Sequence, residues 1–232
     1  MTGVQTCALP IYNEIVSVCN NNKFLIICLF DKSRDLSTYN YFKYIERNNK
    51  NLKVVYDPKV KNLADAYYRA NLYGSAINAK WTLSMVGGYR HSPKDLTKFI
   101  NKFNCNYKCI WGYRTQLSSN SPPIRKFVSF LGNFFSKIIL NISIPDLTSG
   151  FYAIRSKNLL DRLIKIKSFV SSGHFIDTEL KFYFKNLRFS LINISYKTYN
   201  KTISFLSILD AIRSLLCLFL IRINFKSFFC RF

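Results

Sequence analysis

Hydrophobic residues in this chain occur in short apolar runs that alternate with segments of helical spacing. The run from Lys23 to Phe30 lies between an Asn-rich stretch and an Asp- and Ser-containing one, which is typical of a buried parallel strand. Leu52 to Tyr56 predicts a second strand, while Tyr39 to Arg47 and the Ala- and Tyr-rich segment Leu63 to Ala79 predict helices. This alternation predicts an α/β domain with a mainly parallel sheet that binds ligands at the carboxyl ends of its strands.

The same alternation continues through the second half of the chain. Trp81 to Met85 predicts the central strand, and Cys109 to Arg114 predicts a strand that ends in a turn. Arg125 to Phe135 predicts a helix with a basic start, which also fits an ordinary solvated face over a core stripe. Ile192 to Lys201 predicts an edge strand followed by a basic, Tyr-rich loop.

The apolar segment Phe205 to Ile223 contains Asp210 and Arg213. Its cleanest apolar run, Leu215 to Ile221, is far shorter than the ~20 residues that a membrane span needs. The pattern therefore leaves two interpretations open. The helix either lies in the interface of an anionic membrane or packs on the core of the domain.

Composition narrows the class of partner. Of the 232 residues, 34 are Lys or Arg and 12 are Asp or Glu, so the formal net charge of +22 favours a phosphate-bearing partner or an anionic membrane surface. Nucleic acid is disfavoured because the basic residues are spread through apolar segments and no recognition motif appears. Seven Cys and only two His disfavour a zinc site and fit a reducing cytoplasm.

The segment Asp146 to Phe151 combines a carboxylate, two hydroxyls, a glycine and an aromatic ring in six residues. A polar loop whose Asp caps the next helix is one explanation. The segment also resembles the D-x-T-S-G-F box of family 2 glycosyltransferases, in particular the polyprenyl- and dolichyl-phosphate sugar synthases. That resemblance implies a GT-A fold and transfer of a sugar from a nucleotide sugar to a lipid phosphate or a glycan, by an enzyme peripheral at the cytoplasmic face of a membrane.

Segments resembling the family's donor-binding elements precede this box. Tyr12 to Glu14 is similar to the turn after the family's first strand, and Asp31 to Asp35 resembles the D-D-x-S-x-D nucleotide loop, with Phe30 in place of its first Asp. Asn62 starts a G-L-x-x-A-Y-like segment, where we expect a left-handed backbone. The resemblance implies donor contacts from Tyr12, Glu14, Asp31, Ser33, Asp35, Gly87 and Gly88.

The loop from Val86 to Pro93 resembles the family's M-D-x-D/G-x-x-H-x-P segment. In the family, the first Asp of that loop binds the Mg²⁺ or Mn²⁺ ion that bridges the donor diphosphate. The resemblance therefore implies a divalent cation as cofactor. Here the position is Val86, which offers no hard oxygen ligand, so no intact metal motif remains.

Arg114 matches the arginine of the family's G-x-R segment, and an arginine fork suits phosphate geometry. Glu179, with Asp177 nearby, falls in a stretch that resembles the family's G-[YF]-x-x-x-x-E-[LIM]. The resemblance implies catalytic roles for Asp146, Arg114 and Glu179. It implies phosphate or acceptor contacts from Arg125, Lys126, Ser129, Thr148, Ser149 and Arg155.

Residues 1–11 look like translated sequencing adapter, so we expect a non-native segment there without a signal peptide. We expect a glycosyltransferase-like domain over 12–201 and a basic, apolar helix over 202–232. We also expect the family's first strand to be lost, which would leave its two neighbours unpaired. Because Val86 and Phe30 depart from the family's motifs, a non-catalytic homologue that binds nucleotide or membrane is the alternative function.

Overall fold

The structure is a computed structural model that describes residues 5–19, 23–32, 36–86, 90–115, 123–196 and 204–223. Eight α-helices and six strands lie in this part of the chain, with one 3-10 turn at Pro93–Asp95 before α4. The elements are α1 (Gln5–Cys19), β1 (Ile26–Phe30), α2 (Leu36–Arg47), β2 (Leu52–Tyr56), α3 (Leu63–Ala76), β3 (Trp81–Ser84), α4 (Leu96–Ile100), β4 (Cys109–Tyr113), α5 (Pro123–Leu140), β5 (Tyr152–Arg155), α6 (Ser156–Ile166), α7 (Ile176–Phe184), β6 (Phe189–Asn193) and α8 (Phe205–Arg222).

The strands form two sheets. β1 and β2 pair in parallel, and the second sheet has the order β3-β5-β4-β6. In that sheet β5 runs antiparallel to both of its neighbours, while β4 and β6 are parallel. The α/β class is confirmed, but the sheet is mixed rather than mainly parallel, and β3 lies at an edge rather than at the centre.

Both faces of the larger sheet are buried, which explains the continuous apolar runs in its inner strands. Cys109 and Trp111 of β4 point into one core with Tyr152 of β5, while Ile110 and Ala153 point into a second core on the opposite face. These five residues are at most 1% exposed. The side chains alternate between the two cores with the period of two that a strand imposes.

The segment predicted to be a turn at Tyr12 to Glu14 is instead the middle of α1. Tyr12 and Cys19 are buried seven residues apart, as one face of a helix requires. Tyr12 packs against Phe42 in the small core of the β1–β2 sheet, whereas Cys19 joins the core that contains Phe99. α1 therefore contacts the cores of both sheets.

Asn62 also differs from its prediction. Its backbone is extended, with φ of −156°, and its side-chain oxygen accepts a hydrogen bond from the amide of Asp65 at 2.9 Å. Asn62 is therefore the N-cap of α3 and not a left-handed residue. None of the helices in the described ranges has the length and apolarity needed to cross a membrane.

Candidate active site

The topology brings four chain segments to one edge of the larger sheet. β3, β4 and β6 all end at this edge, and β5 begins there because it runs antiparallel to β3 and β4. Val86 follows β3, Arg114 follows β4 and Tyr196 follows β6, while the segment Asp146 to Gly150 leads into β5. Residues that are far apart in sequence therefore meet at one place.

Asp146 and Arg114 form a two-point ion pair at this edge. The Nε atom of Arg114 donates to Oδ2 of Asp146 at 2.7 Å, and Nη2 donates to Oδ1 at 2.8 Å. The backbone amide of Arg114 donates to the same Oδ2 at 3.1 Å. Burial raises the pKa of Asp146, but the hydrogen bonds and charge of Arg114 outweigh burial, so the pKa is lowered overall. Asp146 is therefore ionised at neutral pH.

Thr148 completes this cluster. Its hydroxyl lies 2.6 Å from Nη2 of Arg114 and 3.3 Å from Oδ1 of Asp146, and its backbone amide donates to Oδ1 at 3.2 Å. Both oxygens of Asp146 consequently carry hydrogen bonds. The guanidinium group of Arg114 is also held from its other side, where it lies 4.8 Å from the ring centre of Tyr196.

Next to this cluster is a cavity of about 220 Å³. One wall is the end of β4 and the loop before β5, and the other wall is the first half of α5. Five of the predicted site residues line it together, namely Arg114, Lys126, Ser129, Asp146 and Thr148. The remaining lining residues are Thr115, Phe130, Asn133 and Pro145.

Asn133 fixes α5 to the loop on the other wall. Its amide donates to the carbonyl of Pro145 at 2.8 Å, and its side-chain oxygen accepts from the amide of Leu147 at 2.9 Å. The spacing of Lys126, Ser129 and Asn133 is three and then four residues, so these side chains share one face of α5. That face is the one turned towards the Asp146 loop.

Helix α7 supports the same loop from inside the protein. The ammonium group of Lys181 is fully buried and donates to the carbonyls of Leu147 at 3.0 Å and Ser149 at 2.7 Å. Burial lowers its pKa to about 8, although the charges of Asp177 and Asp146 oppose this change. Sequence reasoning missed Lys181. The available signal was Asp177 four residues earlier, since side chains at that spacing lie on one face of a helix.

Asp177 is a buried carboxylate whose Oδ1 atom has no hydrogen-bond partner within the described residues. Burial raises its pKa to about 6, and the charges of Lys181 and Arg114 reduce the shift. A Cβ atom built on Gly150 would lie 3.1 Å from Oδ1 of Asp177 and 3.2 Å from Cγ2 of Val86. Asp177 and Val86 therefore flank the same glycine, and a side chain at position 150 would be in tight contact with both.

The described residues do not form a divalent-cation site. No group of three His, Cys, Asp or Glu side chains gathers anywhere in the ranges that the structure covers. Val86, at the expected metal position, offers only methyl groups, and both oxygens of Asp146 are engaged by Arg114 and Thr148. Asp177 contributes one carboxylate, whereas Mg²⁺ and Mn²⁺ require several hard ligands.

Three predicted residues lie away from the cavity. Glu179 is buried and accepts hydrogen bonds from the amides of Val170 and Ser171 at 2.7 and 2.9 Å, so its carboxylate fixes the chain before α7. Arg155 ends β5 at the opposite edge of the sheet, where its guanidinium group lies 4.3 Å from the Trp81 ring centre and donates to backbone carbonyls. Ser149 is buried and its hydroxyl has no described partner.

The predicted donor residues that the structure describes do not line this cavity either. Tyr12 is buried in the β1–β2 core and contacts Asn49, while Glu14 is exposed on α1. Asp31 directly follows β1, and Phe30 packs against Tyr39 at 5.8 Å between ring centres. Ser33, Asp35, Gly87 and Gly88 lie outside the described residues, as does the side chain of Arg125.

Comparison with solved structures identifies the fold. Mannosyl-3-phosphoglycerate synthase from Rubrobacter xylanophilus aligns with a TM-score of 0.61 at 10% identity, over 97% of this chain and 74% of that protein. Glucosyl-3-phosphoglycerate synthase from Mycobacterium tuberculosis, in complex with UDP, aligns with a TM-score of 0.58 at 12% identity, over 93% and 76%. This chain has a GT-A-like fold.

A third solved structure is also similar to this chain. The 4-diphosphocytidyl-2C-methyl-D-erythritol synthase from Anaerococcus prevotii has a TM-score of 0.51 at 11% identity, over 87% of this chain and 84% of that one. In sequence, the chain is 22% identical over 165 residues to the uncharacterized protein MJ0544 of Methanocaldococcus jannaschii. This alignment covers 68% of this chain and 69% of that protein. No protein-family model matches the sequence.

Proposed function

We propose that this protein is a glycosyltransferase that moves a sugar from a nucleotide-sugar donor to an acceptor carrying a phosphate. The observation that supports it is the cavity in which Arg114 and Lys126 lie beside the Asp146–Thr148 pair. The similar glucosyl-3-phosphoglycerate synthase is known in complex with Mn²⁺, UDP-glucose and phosphoglyceric acid, at a TM-score of 0.53. A cavity with two cations suits the phosphate groups of such ligands.

The ion pair between Asp146 and Arg114 favours a phosphate over a sugar hydroxyl as the attacking group. A hydroxyl acceptor needs a base to remove its proton, but the hydrogen bonds and charge of Arg114 lower the pKa of Asp146 and so weaken it as a base. A phosphate monoester, with a second pKa of about 6, is ionised at neutral pH without such a base. In this proposal Asp146 and Thr148 hold Arg114 in place, and Arg114 and Lys126 orient the phosphate while Ser129 donates a hydrogen bond to it.

As the acceptor of the sugar, we favour a lipid phosphate at the inner face of a membrane over a glycan. The test uses purified protein, labelled UDP-glucose and other nucleotide sugars, and two acceptors in detergent, farnesyl phosphate and farnesol. We expect transfer to farnesyl phosphate only. Lys126→Ala should reduce transfer at least tenfold, while Lys157→Ala, at an exposed position of α6, should leave it unchanged. Equal transfer to farnesol would contradict a phosphate acceptor.

A second candidate is a homologue that binds the nucleotide without turnover, and Val86 is the observation that favours it. Mg²⁺ or Mn²⁺, which the family resemblance implies, finds no ligand set among the described residues. Val86→Asp would place a second carboxylate beside Asp177, because both positions flank Gly150. If the protein binds UDP but transfers no sugar, and Val86→Asp gains Mn²⁺-dependent transfer, the non-catalytic function is the correct one.

A further inference from the structure

Helices α5 and α8 each expose a row of apolar side chains that the domain does not cover. On α5, Phe127, Phe130, Phe134 and Ile138 are between 47% and 65% exposed and follow each other at helical spacing. Large aromatic side chains at this exposure, one turn apart, are unusual on a solvated helix. The adjacent face of α5 carries Asn133 and contacts the Asp146 loop.

The exposed row on α8 is longer. Its members recur every three or four residues along the whole helix and are between 37% and 71% exposed; they are Phe205, Leu209, Ile212, Leu216, Phe219 and, directly after the helix, Ile223. The buried face of the same helix is small and contains Ser214, Cys217 and Leu218. α8 therefore turns its more apolar face away from the core.

The two rows belong to neighbouring helices. Nη1 of Arg222, at the end of α8, donates to the carbonyls of Ile138 at 3.3 Å and Ile139 at 2.6 Å, at the end of α5. We define the apolar surface of α5 and α8 as these two exposed rows together. Basic residues accompany it on both helices, namely Lys126, Lys137, Arg213 and Arg222.

The cavity opens beside this surface. Phe130 is 65% exposed and belongs to the α5 row, yet it also lines the cavity with Lys126 and Ser129. A molecule with a phosphate in the cavity and a hydrocarbon chain outside would therefore meet apolar side chains directly at the mouth. An apolar face with cations at its border and a net charge of +22 complements an anionic lipid surface.

We propose that the apolar surface of α5 and α8 docks this protein into the interface of an anionic membrane, with the cavity mouth at the level of the lipid phosphates. Binding to the membrane stands on the exposed rows and the charge alone. The further step, that the acceptor enters the cavity from the membrane, rests on the proposed function.

The test is co-sedimentation of the full chain with vesicles, without a nucleotide sugar, so that it is independent of catalysis. The vesicles are phosphatidylcholine alone or a 7:3 mixture with phosphatidylglycerol. We expect binding to the anionic vesicles that weakens as salt is raised. Phe127→Ser with Phe134→Ser, and separately Leu209→Ser with Leu216→Ser, should each reduce the bound fraction at least tenfold.

The matched control is Ile164→Ser, an isoleucine 59% exposed on α6, which should bind as the unchanged protein does. Circular dichroism confirms that each variant is folded. The proposal is overturned if the unchanged protein stays in the supernatant, or if both double variants bind like the control. It is also overturned if light scattering shows that the unchanged protein is a dimer and the double variants are monomers. The apolar surface of α5 and α8 would then be covered by a second copy of this chain rather than by a membrane. Vesicle binding without sugar transfer would contradict the proposed function alone.

Discussion

The ammonium group of Lys181 lies 2.7 Å from the carbonyl oxygen of Ser149, in a position with no exposure to solvent. A second hydrogen bond to Leu147 means that one buried cation holds two carbonyls of the loop that carries Asp146. A charge is rarely buried in this way unless it is well paired. Lys181 therefore determines where Asp146 and Thr148 stand in the cavity.

Replacing Lys181 by Met keeps the length of the side chain but leaves both carbonyls without a donor. We expect the free energy of unfolding to fall by about 3 kcal/mol, the usual effect of breaking a buried charged contact. Urea denaturation measures the change. Lys157→Met, at an exposed position, is the control and should change stability by less than about 0.5 kcal/mol. A similar small effect for Lys181→Met would show that the loop is held by other contacts.

Asp146→Asn removes the negative partner of Arg114. At neutral pH we expect a loss of about 3 kcal/mol in the free energy of unfolding, because Arg114 is left buried without its counter-ion. The pKa of Asp146 is lowered in the folded protein, so its contribution is present above the unfolded pKa and is lost as the pH falls through the folded one. The difference between variant and unchanged protein should therefore shrink below about pH 4. Asp161→Asn, at an exposed position of α6, is the control for the loss of a carboxylate.

Asp177 should have the opposite pH dependence. Its pKa is raised from 3.8 to about 6, so the folded state binds more protons than the unfolded one between these values, and stability falls as the pH rises through them. We expect Asp177→Asn to gain about 2–3 kcal/mol relative to the unchanged protein between pH 4 and pH 6.5. Urea denaturation at the two pH values tests this, again with Asp161→Asn as the control. If the stability difference between Asp177→Asn and the unchanged protein were the same at both pH values, the pKa of Asp177 would not be raised by burial.

Gly150→Ala tests the narrow space between Asp177 and Val86. The new methyl group would lie 3.1 Å from a carboxylate oxygen and 3.2 Å from a methyl carbon, so we expect a loss of stability of about 1–3 kcal/mol. Gly132→Ala is the matched control, because a Cβ atom there meets no neighbour within 4 Å. In the middle of α5 it should stabilise the protein by about 0.5–1 kcal/mol. Thermal unfolding of both variants measures these changes in stability, which we expect to have opposite signs. A Gly150→Ala variant more stable than the unchanged protein would contradict the tight packing around Gly150.

Local patterns predicted most of the helices and strands because buried positions recur in the sequence with the period of the element. The apolar run at Cys109 became β4, and the helix predicted from Arg125 became α5, although it extends further in both directions. The predicted edge strand near Ile192 is the edge strand β6, shifted towards the N-terminus. The turn predicted at Tyr12 was wrong because a motif of three residues carried less information than the helical spacing of the residues around it.

Sheet order and side-chain pairing could not be predicted in the same way. β5 lies between β3 and β4 through pairings with partners 41 to 74 residues away, and no local pattern records such pairings. The family resemblance brought Arg114, Lys126, Ser129 and Thr148 to notice together, and the structure places them around one cavity with Asp146. The resemblance did not include Lys181, which is absent from the family's motifs; its spacing from Asp177 on α7 was the one local sign of its position.

The division of the strands into two sheets has a consequence for how the protein opens. β1 has one hydrogen-bonded neighbour in the described residues, and its core is a small cluster around Phe42, whereas β4 is paired on both sides between two larger cores. Regions with fewer buried contacts open at lower free energy than the rest of a domain. The amide of Val54 in β2 should therefore exchange its hydrogen with solvent much faster than that of Ile110 in β4. The β1–β2 unit is the place where transient unfolding, and with it proteolysis or strand exchange, begins.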